Sequence, residues 1–163
     1  MFSSFVIFFI RHAYNINIDE VNVLVIRGLL ELPDTLKLEG TPLQRLKCIF
    51  SSLIGVVRNY IKSSDSQLNC LSGLEYHCIA STAKNQSFNP TLLTAIISFL
   101  YDSDILDEEV IKKWHAYPSS IPSLLSDDIS ISDDQQLKLR EQPVLVKFIS
   151  WLDEAEEESS DDD

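Results

Sequence analysis

Glycine is scarce in this sequence, with four in 163 residues. That scarcity works against a β-sandwich or barrel, whose many tight turns call for it. Cysteine is scarce too. Cys48, Cys70 and Cys78 are three in number and none is spaced as CxxC, so an odd set of reduced, mostly buried thiols and a cytosolic or nuclear address are expected. No GxxxxGK[ST] and no GxGxxG occurs, which removes the common phosphate-cradling loops. The apolar run FVIFFI (5–10) is far too short to cross a bilayer. No lysine or arginine precedes Arg11, as the start of a signal peptide would require. A buried helix segment is the plainer reading of that run, and no membrane partner is expected.

Metal-binding patterns are equally thin. His12, His77 and His115 are spread over three predicted helices. His77 and Cys78 are neighbours, so on a helix they point in different directions. A core thiol beside a surface histidine is the expectation there, with no metal and no cofactor. A small hydrolase or metalloenzyme is a remote alternative, because paired carboxylates are too common here to carry information.

What is present is ordinary in amount and uneven in placement. The composition is 45% hydrophobic and 23% charged, enough for one domain of this length with a real core. The net charge is −12. Residues 1–101 hold eight basic and seven acidic side chains, whereas residues 102–163 hold five basic and eighteen acidic. The imbalance lies wholly in the last third. Nucleic-acid phosphates would be repelled there, and a lysine-rich partner would be attracted in a salt-dependent way.

The chain reads as helices separated by short polar breaks. NIDEVNVLVIRGLLELP has Asn17 as N-cap with Glu20 three residues on, a capping box, and Pro33 ends the run. Val23 and Ile26 widen its apolar face, so burial on more than one side is expected. TPLQRLKCIFSSLIGVVRNYIK starts at Thr41 and Pro42, with Gly55 marking a kink or a close helix crossing. SDSQLNCLSGLEYHCIAS, NPTLLTAIISFLYDSDIL (capped by Asn89) and DEEVIKKWHAYP (starting at Asp107) follow. Residues 118–134 are rich in Ser, Pro and Asp and read as a mobile loop. A last helix starts near Pro143 and runs through Trp151, before a tail expected to fray. The succession predicts an all-α fold, a HEAT-like stack of antiparallel helix pairs, although no fixed-period repeat is visible. The organisation is therefore an atypical apolar segment (1–10), a helical domain (11–153) and an acidic tail (154–163).

Two clusters combine aromatic residues with acids: YDSDILDEEVIKKW (101–114) and FISWLDEAEEE (148–158). In the first, Trp114 lies about two turns after Asp107. In the second, Phe148, Trp151 and Leu152 fall at i, i+3 and i+4. Aromatics packed in a core beneath a solvated acidic face is the plainer reading on composition. The alternative is a docking surface, in which rim acids attract a basic peptide and an exposed tryptophan anchors it.

At these residues the sequence resembles the C-terminal W2 domain of the epsilon subunit of translation initiation factor 2B. The resemblance is carried by HAYNINIDEV (12–21), VVRNYIK (56–62), YDSDILDEEVIKKW and FISWLDEAEEESSDDD (148–163), and covers roughly residues 11–163. The related C-terminal domain of initiation factor 5 shares such boxes, while RNYIK and the acidic ending favour the epsilon subunit. The resemblance implies a HEAT-like stack and a cytoplasmic guanine-nucleotide exchange module, without covalent chemistry, acting on initiation factor 2. It implies contact with that factor's GTP-binding gamma subunit and the lysine-rich segments of its beta subunit, and with other factor 2B subunits within a longer chain. Carried over by position, Trp151, Asp153, Glu154, Glu156, Glu157 and Glu158 match the second box. Asp107, Glu108, Glu109 and Trp114 match the first. There is one departure: the place of a family glutamate falls near Val6, inside MFSSFVIFFI, which holds no acid. A partial or alternatively started chain is expected, retaining the docking surface and losing much of the exchange. The runner-up expectation is a non-catalytic module that binds the lysine-rich beta segment.

Overall fold

The computed structural model describes residues 18–84, 86–118 and 131–160, with side chains described for 21–84, 86–118 and 131–155. Among the described residues there are eight helices and no strand. They are α1 (Ile18–Thr35), α2 (Pro42–Ser52), α3 (Ile54–Tyr60), α4 (Ser64–Ala83), α5 (Pro90–Asp102), α6 (Glu108–Ala116), α7 (Asp133–Arg140) and α8 (Pro143–Ser160). The expected all-α class is the observed one.

Helix starts follow local chemistry. Thr41 caps α2, accepting from the Gln44 amide while the Gln44 side chain returns to the Thr41 amide. Ser63 and Ser66 form the same reciprocal box on α4, and the Asn89 side chain accepts from the Leu92 amide on α5. Each device satisfies amides that the first turn leaves without partners. Two helices end alike without glycine. Beyond α1, Leu38 N–H reaches Pro33 O and Lys37 N–H reaches Asp34 O, with Lys37 at φ 51°. Beyond α5, Ile105 N–H reaches Leu100 O and Asp104 N–H reaches Tyr101 O, with Asp104 at φ 54°. Both are Schellman stops. A left-handed lysine or aspartate costs more than glycine there, but the chain turns sharply and the next helix packs back.

The packing pattern makes a two-layer stack. α1, α4 and α6 lie side by side in one layer, and α2, α5 and α8 in the other. The pairs α1/α2, α4/α5 and α6/α8 are its successive steps. α3 extends α2 onto α1, and α7 lies against α4. α4 is the centre of the core. Cys70, Leu71, Leu74, Cys78 and Ile79 are buried on it together with Gln67, Ser72 and Glu75, so it is enclosed on nearly all sides.

Several sequence expectations change on the structure. The loop placed at 118–134 ends by Ser132, because Ser132 and Gln135 form a capping box that starts α7. The signature was legible as S-D-D-Q and was masked by the acidic, serine-rich composition around it. Residues 119–130 lie outside the described residues. Pro33 does not end α1, which runs on to Thr35; a proline in the last turn forfeits only one internal bond. The kink assigned to Gly55 falls at Leu53 instead, between α2 and α3, and nothing approaches the Gly55 Cα within Cβ range. The tail drawn from residue 154 is helical as far as Ser160. No proline or glycine interrupts this stretch, and Ala and Glu are good helix formers. The Asn17 cap, the side chain of Glu20 and the segment 1–10 lie outside the described residues.

Burial separates the three thiols. Cys48 is exposed, whereas Cys70 and Cys78 are buried. Desolvation pushes the Cys78 thiol up to about 12 and Cys70 higher still. An aromatic disulfide reagent at neutral pH should therefore label one thiol of the folded protein and three in denaturant. Rapid labelling of all three without denaturant would contradict the packing of α4.

Candidate functional site

The two aromatic and acidic clusters meet at one end of the stack, where α5, α6 and α8 converge. α8 turns Leu145 and Leu152 into the core, both fully buried. Helical geometry then places the neighbours of Leu152 on opposite flanks. Trp151 leans toward α5 and Asp153 toward α6.

On the α5 flank Trp151 is 48% exposed. Its ring stacks on Phe148 at 5.9 Å between centroids and stands edge-on to Tyr101 at 6.2 Å. Both neighbours are partly buried against the core. The indole is thus braced by two rings while half its surface stays open to solvent. Exposed acids stand close in sequence on either side of this platform: Asp102 and Asp104 after Tyr101, and Glu154 one turn beyond Trp151.

On the α6 flank the acids are partly engaged. The Asp107 carboxylate accepts from Gln67 Nε2 at 2.8 Å, and its amide donates to Gln67 Oε1 at 2.7 Å. Asp107 therefore ties the start of α6 to α4 through a buried glutamine and does not cap its own helix. The Lys112 ammonium lies 2.6 Å from Glu108 and 2.8 Å from Asp153, so one cation joins the two clusters. Glu109 is exposed. The side chains of Glu156, Glu157 and Glu158 lie outside the described residues.

Trp114 is corrected. It is 1% exposed and cannot anchor a partner. Its indole N–H donates to Glu75 Oε2 at 3.2 Å. Glu75, fully buried, also receives the Arg140 guanidinium, Nε at 3.0 Å and Nη2 at 3.1 Å. That guanidinium lies 5.3 Å from the Trp114 ring centroid and donates to the Tyr117 carbonyl. The His115 ring meets the Arg140 carbonyl at 3.0 Å. A buried indole needs an acceptor, and a buried carboxylate needs a cation; the three side chains satisfy one another. Sequence reasoning missed Glu75 and Arg140. The one available signal was a glutamate amid residues apolar on every side of α4.

A concavity of about 420 Å³ lies away from this surface, lined by α1, α2, α4 and the segment leading into α5. Its rim carries the pairs Arg27–Glu31 and Arg45–Asp34. His77, set edge-on to Phe88 at 4.8 Å, lines it. Burial pushes that imidazole below its ordinary value, against the upward pull of Glu31. His77 is thus a half-enclosed wall residue and not the surface histidine expected. Among the described residues no group of three or more His, Cys, Asp or Glu is placed to hold a metal ion, and no helix is long and apolar enough to cross a membrane. Comparison with known families gives a match of residues 66–162, from the first turn of α4 through α8, to the model described as W2: eIF4-gamma/eIF5/eIF2-epsilon.

Proposed function

The chain belongs to the W2 family, described by eIF4-gamma, eIF5 and eIF2-epsilon, and from that premise we propose that it is an exchange domain of the epsilon type. In this reading it promotes GDP release from translation initiation factor 2. The factor's lysine-rich beta segment docks on the α5–α6–α8 end of the stack, and its gamma subunit is the GTPase acted upon. The observation that carries the docking half is Trp151, braced by Tyr101 and Phe148 and half open. Large aromatics placed this way, beside carboxylates, bury area on binding at low entropy cost and act as anchors. The acids raise the encounter rate with a cationic segment. Exchange requires no bond-making by the protein. A factor that binds the nucleotide-free GTPase better than the nucleotide-bound form lowers the barrier to GDP loss.

A second reading is a non-catalytic interaction module that holds the same segment. The absence of any acid in MFSSFVIFFI, where the family glutamate is expected, favours it. A release assay with fluorescent GDP on intact factor 2 decides between them. The first reading expects release well above the intrinsic rate. Intrinsic release together with capture of factor 2 supports the second. Neither release nor capture would end both.

A further inference from the structure

One cation is already seated among these acids. Lys112 Nζ lies 2.6 Å from Glu108 Oε1, one turn back on α6, and 2.8 Å from Asp153 Oδ1 on α8. The lysine side chain is 23% exposed and that of Glu108 19%, whereas Asp153 is 60% exposed. The inner half of this bridge is shielded from counter-ions and the outer half faces solvent. Shielding strengthens the attraction. An ammonium between two carboxylates is the chemistry that a lysine of a docking partner would offer the same surface.

We infer that Lys112 is a resident competitor, an internal lysine occupying a subsite of the docking surface, which sets a threshold for cationic partners. This rests on the docking reading above. Glu108 and Asp153 are engaged by Lys112, and Asp107 is held by Gln67. Glu109 and Glu154 remain exposed on α6 and α8, with Asp104 at the end of α5. A single incoming lysine at the bridged pair exchanges one ammonium for another and gains little. A run of lysines reaches the exposed acids as well and gains several contacts. Lys112 thereby selects clustered positive charge over isolated charge, a discrimination made by occupying the site against weak partners.

The competing role is a strut that holds α8 against α6, and the two roles predict opposite signs. Lys112→Met keeps the aliphatic stem and removes the charge. The full chain is titrated with a fluorescent oligolysine peptide, and its melting is recorded in parallel. As a competitor, Lys112 lost to methionine gives binding about threefold to fivefold tighter, the scale of one partly exposed ion pair, and more salt-dependent. Lys112→Arg, which retains the charge, should stay within about twofold of the parent. Unchanged or weaker binding by a folded Lys112→Met protein overturns the inference. Should that variant not fold, the acids report instead. Glu108→Gln and Asp153→Asn, whose charges Lys112 already engages, should weaken binding less than Glu109→Gln and Glu154→Gln. An equal or larger loss at the engaged acids overturns it. If the parent binds and Lys112→Met binds no tighter, the inference alone falls. If neither binds oligolysine, the docking reading falls and takes the inference with it.

Discussion

Glu75→Gln will destabilise the folded protein by about 3–5 kcal/mol, the cost typical of breaking a buried ion pair from one side. The size follows from what remains behind. Arg140 is 4% exposed, and the substitution removes from this enclosed site the Glu75 carboxylate that its Nε and Nη2 both donate to. Glutamine offers one acceptor, which the Trp114 indole N–H and the arginine would have to share. There is no cheap relaxation short of moving α7. The loss should appear in urea unfolding as a lower midpoint at nearly unchanged slope. Two tryptophans divide the signal usefully: Trp114 is enclosed, while Trp151 is half open. A blue-shifted emission component should vanish at the lowered midpoint. The double change Glu75→Leu with Arg140→Met is expected to be less destabilised than either single change, because apolar replacement of both partners leaves no stranded charge. A Glu75→Gln unfolding free energy within about 1 kcal/mol of the parent, far short of the cost of breaking a buried pair, would mean that the pair is not holding α4, α6 and α7 together.

Trp151→Ala will weaken capture of a lysine-rich segment by about thirtyfold or more, equivalent to the roughly 2 kcal/mol or more of a binding hot spot. The same change should leave the protein folded. Its contacts with Tyr101 and Phe148 are each worth about 0.5–1.5 kcal/mol beyond area, and the indole is half open to begin with. Glu154→Gln, a single rim charge, should cost about 0–1 kcal/mol. The two losses also differ in kind. The charge contribution fades as salt screens it, whereas the tryptophan contribution persists. Trp151→Phe should retain much of the affinity, since the platform of rings survives. Titration of folded Trp151→Ala with the peptide decides the matter. Binding within about twofold of the parent, against the thirtyfold expected of a hot spot, would remove the anchor, and with it the observation on which the docking reading leans.

The contrast between the two tryptophans shows how far sequence reading reaches here. Both sit in an acidic setting on a predicted helix, and by resemblance both match a box of the family. Helical spacing cannot separate them. Trp114 shares its face with Val110 and Ile111, which are buried, yet what encloses it comes from α4 and α7. Trp151 sits beside Leu152, which is buried, and one residue of rotation leaves its indole outside. The same limit hid α7. Its capping box is readable, but the composition suggests a loop, and what holds the short helix in place is tertiary: Arg140 docks on Glu75 while Leu139 and Gln136 are buried beside it.

Helix content, most helix starts, the acidic last third and the family resemblance were all legible from the sequence, because capping, periodicity and charge act within a few residues. Tertiary structure alone decided which tryptophan is open, which acids are engaged and what balances the buried glutamate. Those outcomes depend on partners far apart in the chain: Trp114 reaches Glu75 across 39 residues, and Arg140 reaches it across 65. Burial is a property of what the stack brings together, and no local pattern along one helix records what will lie against it.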